Sequence, residues 1–354
     1  MLPHNTAMPT FAKKIIAWQK RSGRHDLPWQ NTRDPYRIWV SEIMLQQTQV
    51  SAVIGYYARF MARFPDIATL AAAPLDDVMQ HWAGLGYYAR ARNLHKAALI
   101  VVDQFGGEFP RTHEQVWSLP GIGRSTAAAI CAFAFGKPCA ILDGNVKRVF
   151  ARNFGVEGDL RAKTIEDAMW QIAEREVPTG EIEEYTQGLM DLGATLCTRS
   201  TPSCLLCPLR TACVAFNEGR IAELPSKSPK KATPHRETCM LVMVSANEVL
   251  IERRPPTGIW GGLWSLPEIA VDNDVMAIAK TKYLVTTARG RHPRPLAEVE
   301  HGFTHYALTI YPVEIPVSKR QPHTAEPGVM WLNLDEIANA ALPAPVKKIL
   351  ASLR

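Results

Sequence analysis

The hydrophobic period of this chain changes once, at residues 223–236, and that change limits what it can fold into. From residue 10 to about 216 the apolar side chains recur at three and four, the spacing of amphipathic helices. Asp34-Pro35 is a helix start, an N-cap followed by proline in the first turn, and Thr112 with Gln115 fits a second cap. The stretch ELPSKSPKKATPHR then brings three prolines and five basic residues, counting His235, with few apolar ones. It reads as an exposed linker. Beyond it the period becomes two. TCMLVMV and EVLIERR flank Ser-Ala-Asn and predict a hairpin; FTHYALTIY and VMWLNL predict further strands; DEIANA and VKKILASL predict helices. The expected organisation is an all-α region over 1–222, a linker at 223–236, and an α+β domain over 237–354.

Composition narrows the function classes. Apolar residues make up 47% and charged residues 21%, as in globular proteins, and no run approaches eighteen apolar residues, so no membrane span is expected. The opening MLPHNTAMPT lacks the basic start and apolar run of a secretory signal, so a reducing, cytoplasmic setting is expected. The net charge of +6 is spread mildly: 24 basic against 22 acidic residues up to Ser226, and 16 against 12 beyond. Such a balance is compatible with a polyanionic partner without identifying one.

Four of the seven cysteines fall within CTRSTPSCLLCPLRTAC, spaced Cys197-x6-Cys204-x2-Cys207-x5-Cys213. A zinc ribbon has two separated Cys-x2-Cys pairs, and here there is one. Four thiols at unequal short spacings suit a [4Fe–4S] cube, while zinc and disulfides stay open on spacing alone. Cys131, Cys139 and Cys239 have no motif spacing and read as buried or incidental thiols. A second signal is SLPGIGRSTAAAIC, residues 118–131: a proline and two glycines make a tight turn into a small-residue helix. Without Cβ atoms, Gly121 and Gly123 would let a phosphate approach backbone N–H groups at a helix N-terminus. The plainer reading is a helix–turn–helix packing element.

Two carboxylates stand out. Glu42 in WVSEIMLQQTQV has Ile38, Trp39 and Leu45 at helical spacing, so its face should be partly dry. Desolvation would keep it protonated near neutral pH, although a buried pair with Arg33 or Arg37 is equally open. Asp143 precedes Gly144 and the amphipathic VKRVFAR, the place of a helix N-cap. Arg90, Arg92 and Lys96 recur near one side and could track phosphates.

Together, the cysteine loop and the Leu-Pro-Gly-x-Gly hairpin resemble those of the endonuclease III and MutY DNA glycosylases, and the segment around Glu42 is similar to the adenine-specific MutY branch. The resemblance covers nearly the whole chain. It implies a helix–hairpin–helix core (about 28–138), an iron–sulfur part (1–27 and 139–222) with one [4Fe–4S] cluster on the four cysteines, and a Nudix-like C-terminal domain. It implies Glu42 as the acid, Asp143 as the counter-charge to a developing sugar cation, and Asn145 as their orienter. Ser125 stands where strand-cutting relatives carry a lysine, so the amine nucleophile is missing. Gly121, Gly123, Arg124, Ser125 and Lys147 would contact the DNA backbone, as would Arg199 and Arg210 from the cysteine loop. Gln47, Thr48 and Gln49 would fill the gap left by a flipped nucleotide, and Tyr87 would probe beside the lesion. Trp29 and Gln187 would line the adenine pocket. GGLWSLPE begins a Nudix signature whose catalytic carboxylates do not follow. Phe303-Thr304-His305 matches the family's Phe-Ser-His loop for 8-oxoguanine, with threonine in place of serine.

The implied activity is hydrolytic removal of adenine from A:8-oxoguanine or A:G mispairs in duplex DNA, by a monomer working on nucleoid DNA. Rival expectations are a strand-cutting glycosylase for oxidised pyrimidines and a non-catalytic damage sensor.

Overall fold

A computed structural model describes residues 8–226, 233–255, 257–303, 306–320, 328–338 and 340–353. They form two compact units. The first takes residues up to Ala73 and from Asn93 into the linker; the second takes Pro74–Arg92 together with the residues beyond the linker.

Helices α1 (Thr10–Ser22), α2 (Pro35–Leu45), α3 (Val50–Arg63) and α4 (Ile67–Ala72) open the chain. The α2 start follows the expected chemistry: the Asp34 carboxylate accepts from Tyr36 N at 2.9 Å, with Pro35 in the first turn. Tyr36, Trp39, Val40, Ile43 and Met44 bury one broad face. After α5 (Leu75–Trp82) and α6 (Ala89–Phe105) come α7 (His113–Ser118), α8 (Arg124–Phe135), α9 (Gly144–Phe154), α10 (Lys163–Arg175) and α11 (Ile182–Asp191). A π-turn, Leu192–Leu196, continues α11 directly into the cysteine loop, which holds short 3-10 turns at Cys204–Leu206 and Arg210–Ala212 before α12 (Val214–Asn217). One core gathers Ile15 and Trp18 of α1, Ala128 of α8, Phe150 of α9, Met169 of α10 and Leu189 of α11. Phe11 meets Phe150 edge to face, with ring centroids 5.7 Å apart.

In the second unit the expected hairpin is present: β1 (His235–Ser245) turns at Ala246-Asn247 into antiparallel β2 (Glu248–Arg253), with Val244 opposite Val249. Short strands β3 (Trp264–Ser265) and β4 (Glu268–Ile269) precede α13 (Val275–Thr281). Then come β5 (Val285–Thr287), β6 (Arg294–Pro295), β7 (Val299–Gly302), β8 (Ala307–Arg320) and β9 (Val329–Asn333). The sheet is mixed, ordered β3-β2-β1-β8-β5, because β1 and β8 run parallel while β2 and β4 pair antiparallel with β1. Cys239, Leu241 and Met243 alternate onto the face packed with Ala279 and Tyr283. DEIANA gives only a 3-10 turn, Leu334–Glu336, while VKKILASL supplies α14 (Ala344–Ala351). Residues 74–92, expected in the α-region, pack with this unit: Arg253 Nη2 meets Asp76 Oδ1 at 2.5 Å and Arg92 donates to the Gly261 carbonyl. No described helix is long and apolar enough to cross a membrane.

Helices α1 and α11 approach closely because Gly188 has no side chain. A Cβ there would lie 2.6 Å from Ile15 Cγ2 and 3.0 Å from Gln19 Cβ. Gly188→Ala is expected to destabilise the protein by about 1–3 kcal/mol, the usual cost of overpacking a core. Urea unfolding with an unchanged slope but an unchanged midpoint as well would refute that close contact.

Candidate active site

Helix α2 presents Glu42 to a cavity of about 360 Å³ whose walls include Trp29, Ile38, Leu45, Glu183 and Gln187. That volume lies in the range of small-molecule sites. Trp29 is buried and packs edge to face on Tyr57, with centroids 5.5 Å apart. The arginines considered as partners for Glu42 are used elsewhere: Arg33 pairs with Glu183 at 2.6 Å and Arg37 with Asp34 at 3.5 Å. Burial, with the nearby Asp143 charge adding to it, pushes the Glu42 carboxyl up to about 8. Glu42 and Asp143, far apart in sequence, are therefore within electrostatic reach of each other.

Asp143 does cap α9, accepting from Val146 N at 2.7 Å. Burial raises its carboxyl above the usual range; the Val146 and Asn145 N–H groups and the Arg148 guanidinium oppose that rise. Neither Asp143 nor Asn145 lines the cavity. Asn145 Oδ1 accepts from Arg148 Nη2 at 2.9 Å, and the same nitrogen donates to Gly193 O at 2.7 Å. A Cβ on Gly193 would fall 2.7 Å from Asn145 Cβ, so the π-turn needs glycine to lie against the start of α9.

The hairpin glycines differ in role. Gly121 has φ +79°, and a Cβ there would lie 2.7 Å from Asn93 Cβ; Gly123 has an ordinary φ of −85° and faces open space at the start of α8. Two expected DNA-backbone contacts are engaged within the protein. Arg124 lies 3.8 Å over the Trp170 ring and pairs with Glu174, and Lys147 pairs with Glu166 at 2.7 Å. The Ser125 hydroxyl accepts from Leu142 N at 2.9 Å, bracing the residue just before Asp143. Gln46, four residues after Glu42, donates to Thr126 Oγ1 and Gly121 O, both at 3.4 Å. The first turn of α8 thus touches both carboxylate-bearing segments. Gln47, Thr48 and Gln49 form the loop between α2 and α3, with Gln47 exposed at φ +56°.

In the second unit Tyr87 is 49% exposed and held at φ +49°, a costly conformation for a bulky residue. Arg90, expected to track phosphate, is instead 8% exposed and donates to Leu85 O and Gly86 O beneath Tyr87. Arg92 is likewise occupied by Gly261 O. The Leu85 and Gly86 carbonyls and the Trp82 ring, 5.4 Å from its guanidinium carbon, hold Arg90 inward, which periodicity alone does not show. Phe303 stacks among Trp260, His301 and Tyr306, at centroid distances of 5.3, 4.5 and 4.8 Å. Thr304 and His305 lie outside the described residues.

Cys197, Cys204, Cys207 and Cys213 lie in one loop, and the charges of Cys197 and Cys204 raise both Cys207 and Cys213. Burial is the larger cause and pushes Cys207 up to about 11. Among the described residues no three His, Cys, Asp or Glu side chains converge tightly enough to ligate one metal ion. Buried Arg152 ties the loop down, donating to Thr198 O at 2.7 Å, Arg199 O at 3.1 Å, Leu224 O at 2.8 Å and Cys197 Sγ at 3.4 Å. The sequence reading missed Arg152, Arg148, Arg24 and Asp191. Asp191 had a findable signal, standing one helical turn from Gln187 in TQGLMD.

Residues 40–175 match the HhH-GPD superfamily of base excision DNA repair proteins and residues 238–352 the NUDIX domain. An adenine DNA glycosylase of Buchnera aphidicola subsp. Baizongia pistaciae is 37% identical over 346 residues, covering 97% of each chain. Those of Mus musculus and Homo sapiens are 34% and 33% identical over 96% of this chain and 77% and 73% of theirs. The chain belongs to the adenine DNA glycosylase family. Membership makes it a DNA glycosylase, an enzyme of the MutY type with a helical glycosylase core and a Nudix-like domain. Among solved structures, a thermostable thymine-DNA glycosylase is 31% identical over 59% of this chain and 95% of its own, with TM-score 0.53. An endonuclease III–DNA complex shares the fold at TM-score 0.50 and 23% identity, over 59% of this chain and 94% of its own.

The raised Glu42 carboxyl has a stability consequence. The folded protein holds this proton up to about pH 8, whereas an exposed glutamate releases it near 4.5. Folding stability associated with Glu42 is complete below 4.5 and is lost as pH rises through 8. Glu42→Gln removes that loss. Its melting temperature should match the parent at pH 4 and exceed it by several degrees at pH 9. A difference independent of pH would contradict the buried, unpaired carboxyl.

Proposed function

We propose that this enzyme hydrolyses the N-glycosidic bond of adenine opposite 8-oxoguanine or guanine in duplex DNA and leaves the strand intact. The observation that carries the reading is a carboxyl in the wall of a base-sized cavity, held well above its usual range by burial, with a second carboxylate in electrostatic reach and no amine at position 125. A base within a duplex is out of reach, so the adenine nucleotide is extruded into the cavity. Glu42, still neutral at pH 7, donates its proton to adenine N7 and turns a poor leaving group into a good one. Asp143, at the N-terminus of α9 with Val146 N–H on its carboxylate, offsets the positive charge growing on the sugar. Asn145, fixed by Arg148, orients this pair. Water attacks C1′, and the Glu42 carboxylate takes its proton.

The exposed Gly121 and Gly123 of the hairpin turn and the first turn of α8 would take a backbone phosphate, contacts that carry no sequence information. Gln47, Thr48 and Gln49 would fill the vacated stack, and Tyr87 would press beside the opposite base. Phe303, Thr304 and His305 would check for 8-oxoguanine. The monomer would act on nucleoid DNA in the cytoplasm.

Cys197, Cys204, Cys207 and Cys213 fit one [4Fe–4S] cluster. Burial and the neighbouring thiols raise Cys204, Cys207 and Cys213, so all four thiols need a cationic centre to ionise together. A cube takes one thiolate per iron, so its ligands stand further apart than around a single ion, and Arg152 N–H on Cys197 Sγ is a typical supporting hydrogen bond. Bound there, the cluster would cross-link the loop, and hydrolysis, which changes no oxidation state, would draw no electrons from it.

An A:8-oxoguanine duplex incubated with the protein should break only after alkali, and borohydride should trap little covalent complex; strand cutting without alkali and efficient trapping would assign the chain to the strand-cutting branch. Single-turnover release should fall about tenfold per pH unit above 8, as Glu42 loses its proton, and Glu42→Gln should lose at least about 100-fold. Unchanged release in that variant would remove Glu42 as the acid. Purified protein should be brown with about four irons per chain; a colourless, zinc-loaded, fully active protein would overturn the cluster.

Removing residues 237–354 should lower the preference for 8-oxoguanine over guanine opposite adenine. Equal loss on both duplexes would exclude lesion reading by that domain.

A further inference from the structure

Asp191 is fully buried at the end of α11, where three hydrogen bonds and an ion pair reach its carboxyl oxygens. Arg24 N donates to Oδ2 at 2.8 Å, Arg24 Nε and Nη2 each reach Oδ1 at 2.7 Å, and Gln187 Nε2 donates to Oδ1 at 2.8 Å. A carboxylate only accepts hydrogen bonds, so every group that faces it must be a donor. That fixes a choice that a glutamine otherwise leaves open. The amide nitrogen of Gln187 must face Asp191, because its carbonyl there would put two acceptors 2.8 Å apart. Gln187 lines the same cavity as Glu42 and is partly open to it, so its carbonyl is turned away from Asp191.

We infer that Asp191 is a positioning residue which, through Gln187, makes the cavity select a base with an exocyclic amine over one with a carbonyl at the same place. An amine at purine position 6 would donate to Gln187 Oε1; a 6-oxo group would oppose it, acceptor against acceptor. This rests on the cavity being the adenine pocket. The selectivity is imposed through Asp191, which does not line the cavity: Arg24, itself in the cavity wall, pairs with Asp191, Asp191 orients Gln187, and Gln187 reads the base. Asparagine at 191 would offer both a donor and an acceptor, freeing the amide to turn.

The test compares single-turnover release of adenine and of hypoxanthine, its 6-oxo counterpart, each placed opposite 8-oxoguanine. The intact protein should favour adenine by at least about 100-fold, as expected of a site that leaves a polar group unpaired with the wrong ligand. Asp191→Asn should shrink that ratio at least about tenfold. A loss of packing alone would slow both substrates and leave the ratio. Because this buried variant carries a folding risk, Gln187→Met serves as the second: nearly isosteric, without the carbonyl, it should shrink the ratio by slowing adenine release.

Hypoxanthine released as fast as adenine by the intact protein, or a ratio preserved in folded variants, overturns the inference. Failure to release adenine at all instead sinks the glycosylase reading.

Discussion

A carboxyl group kept dry is the constraint on which this molecule turns. Glu42 has no cation among the described ion pairs and a second carboxylate, Asp143, close enough to raise its proton affinity further. Ionised there, it would carry the cost of a largely desolvated charge with no cation beside it, so it retains its proton instead. The same desolvation that costs stability as pH rises from 4.5 through 8 leaves the proton on this carboxyl at neutral pH. Such a site persists only if the surrounding scaffold holds it closed.

The scaffold does so largely through backbone approach. Glycines 188 and 193 let α11 and its π-turn press on α1 and on the start of α9, where a single Cβ would collide. Polar groups then fix the pieces. Ser125 holds the peptide before Asp143, Gln46 ties the end of the Glu42 helix to α8, and Arg148 links Asn145 to the π-turn. Each bond joins segments distant in sequence, and each lies beside one of the carboxylates. The tight hairpin that sequence reading marks for DNA is thus also a structural support of the chemistry.

Similarity in fold leaves substrate open. A thymine-DNA glycosylase shares the helical core at 31% identity, and thymine is a different base from adenine. The difference must lie in side chains lining the cavity rather than in helix order. Glu42, Trp29 and Gln187 line it here, and buried Asp191, paired with Arg24, controls what Gln187 can offer.

Local chemistry was legible in the chain itself. Period three-to-four giving way to two marked the helical part and the sheet; Asp34-Pro35, Asp143-Gly144 and the Ser-Ala-Asn turn are decided by nearest neighbours, and the structure has each. The cysteine spacing and the Gly-x-Gly turn are equally local. What the chain could not state is partnership. Apolar periodicity says which face of a helix is buried but not against what, so the meeting of Glu42 with Asp143, about a hundred residues away, belongs to packing. For the same reason Arg90 read as a phosphate contact and folds as an internal clamp, and the Ser125 hydroxyl goes to Leu142. Side-chain chemistry is written in the sequence; which side chain it acts upon is chosen when α1, α2, α8, α9 and α11 close on one another.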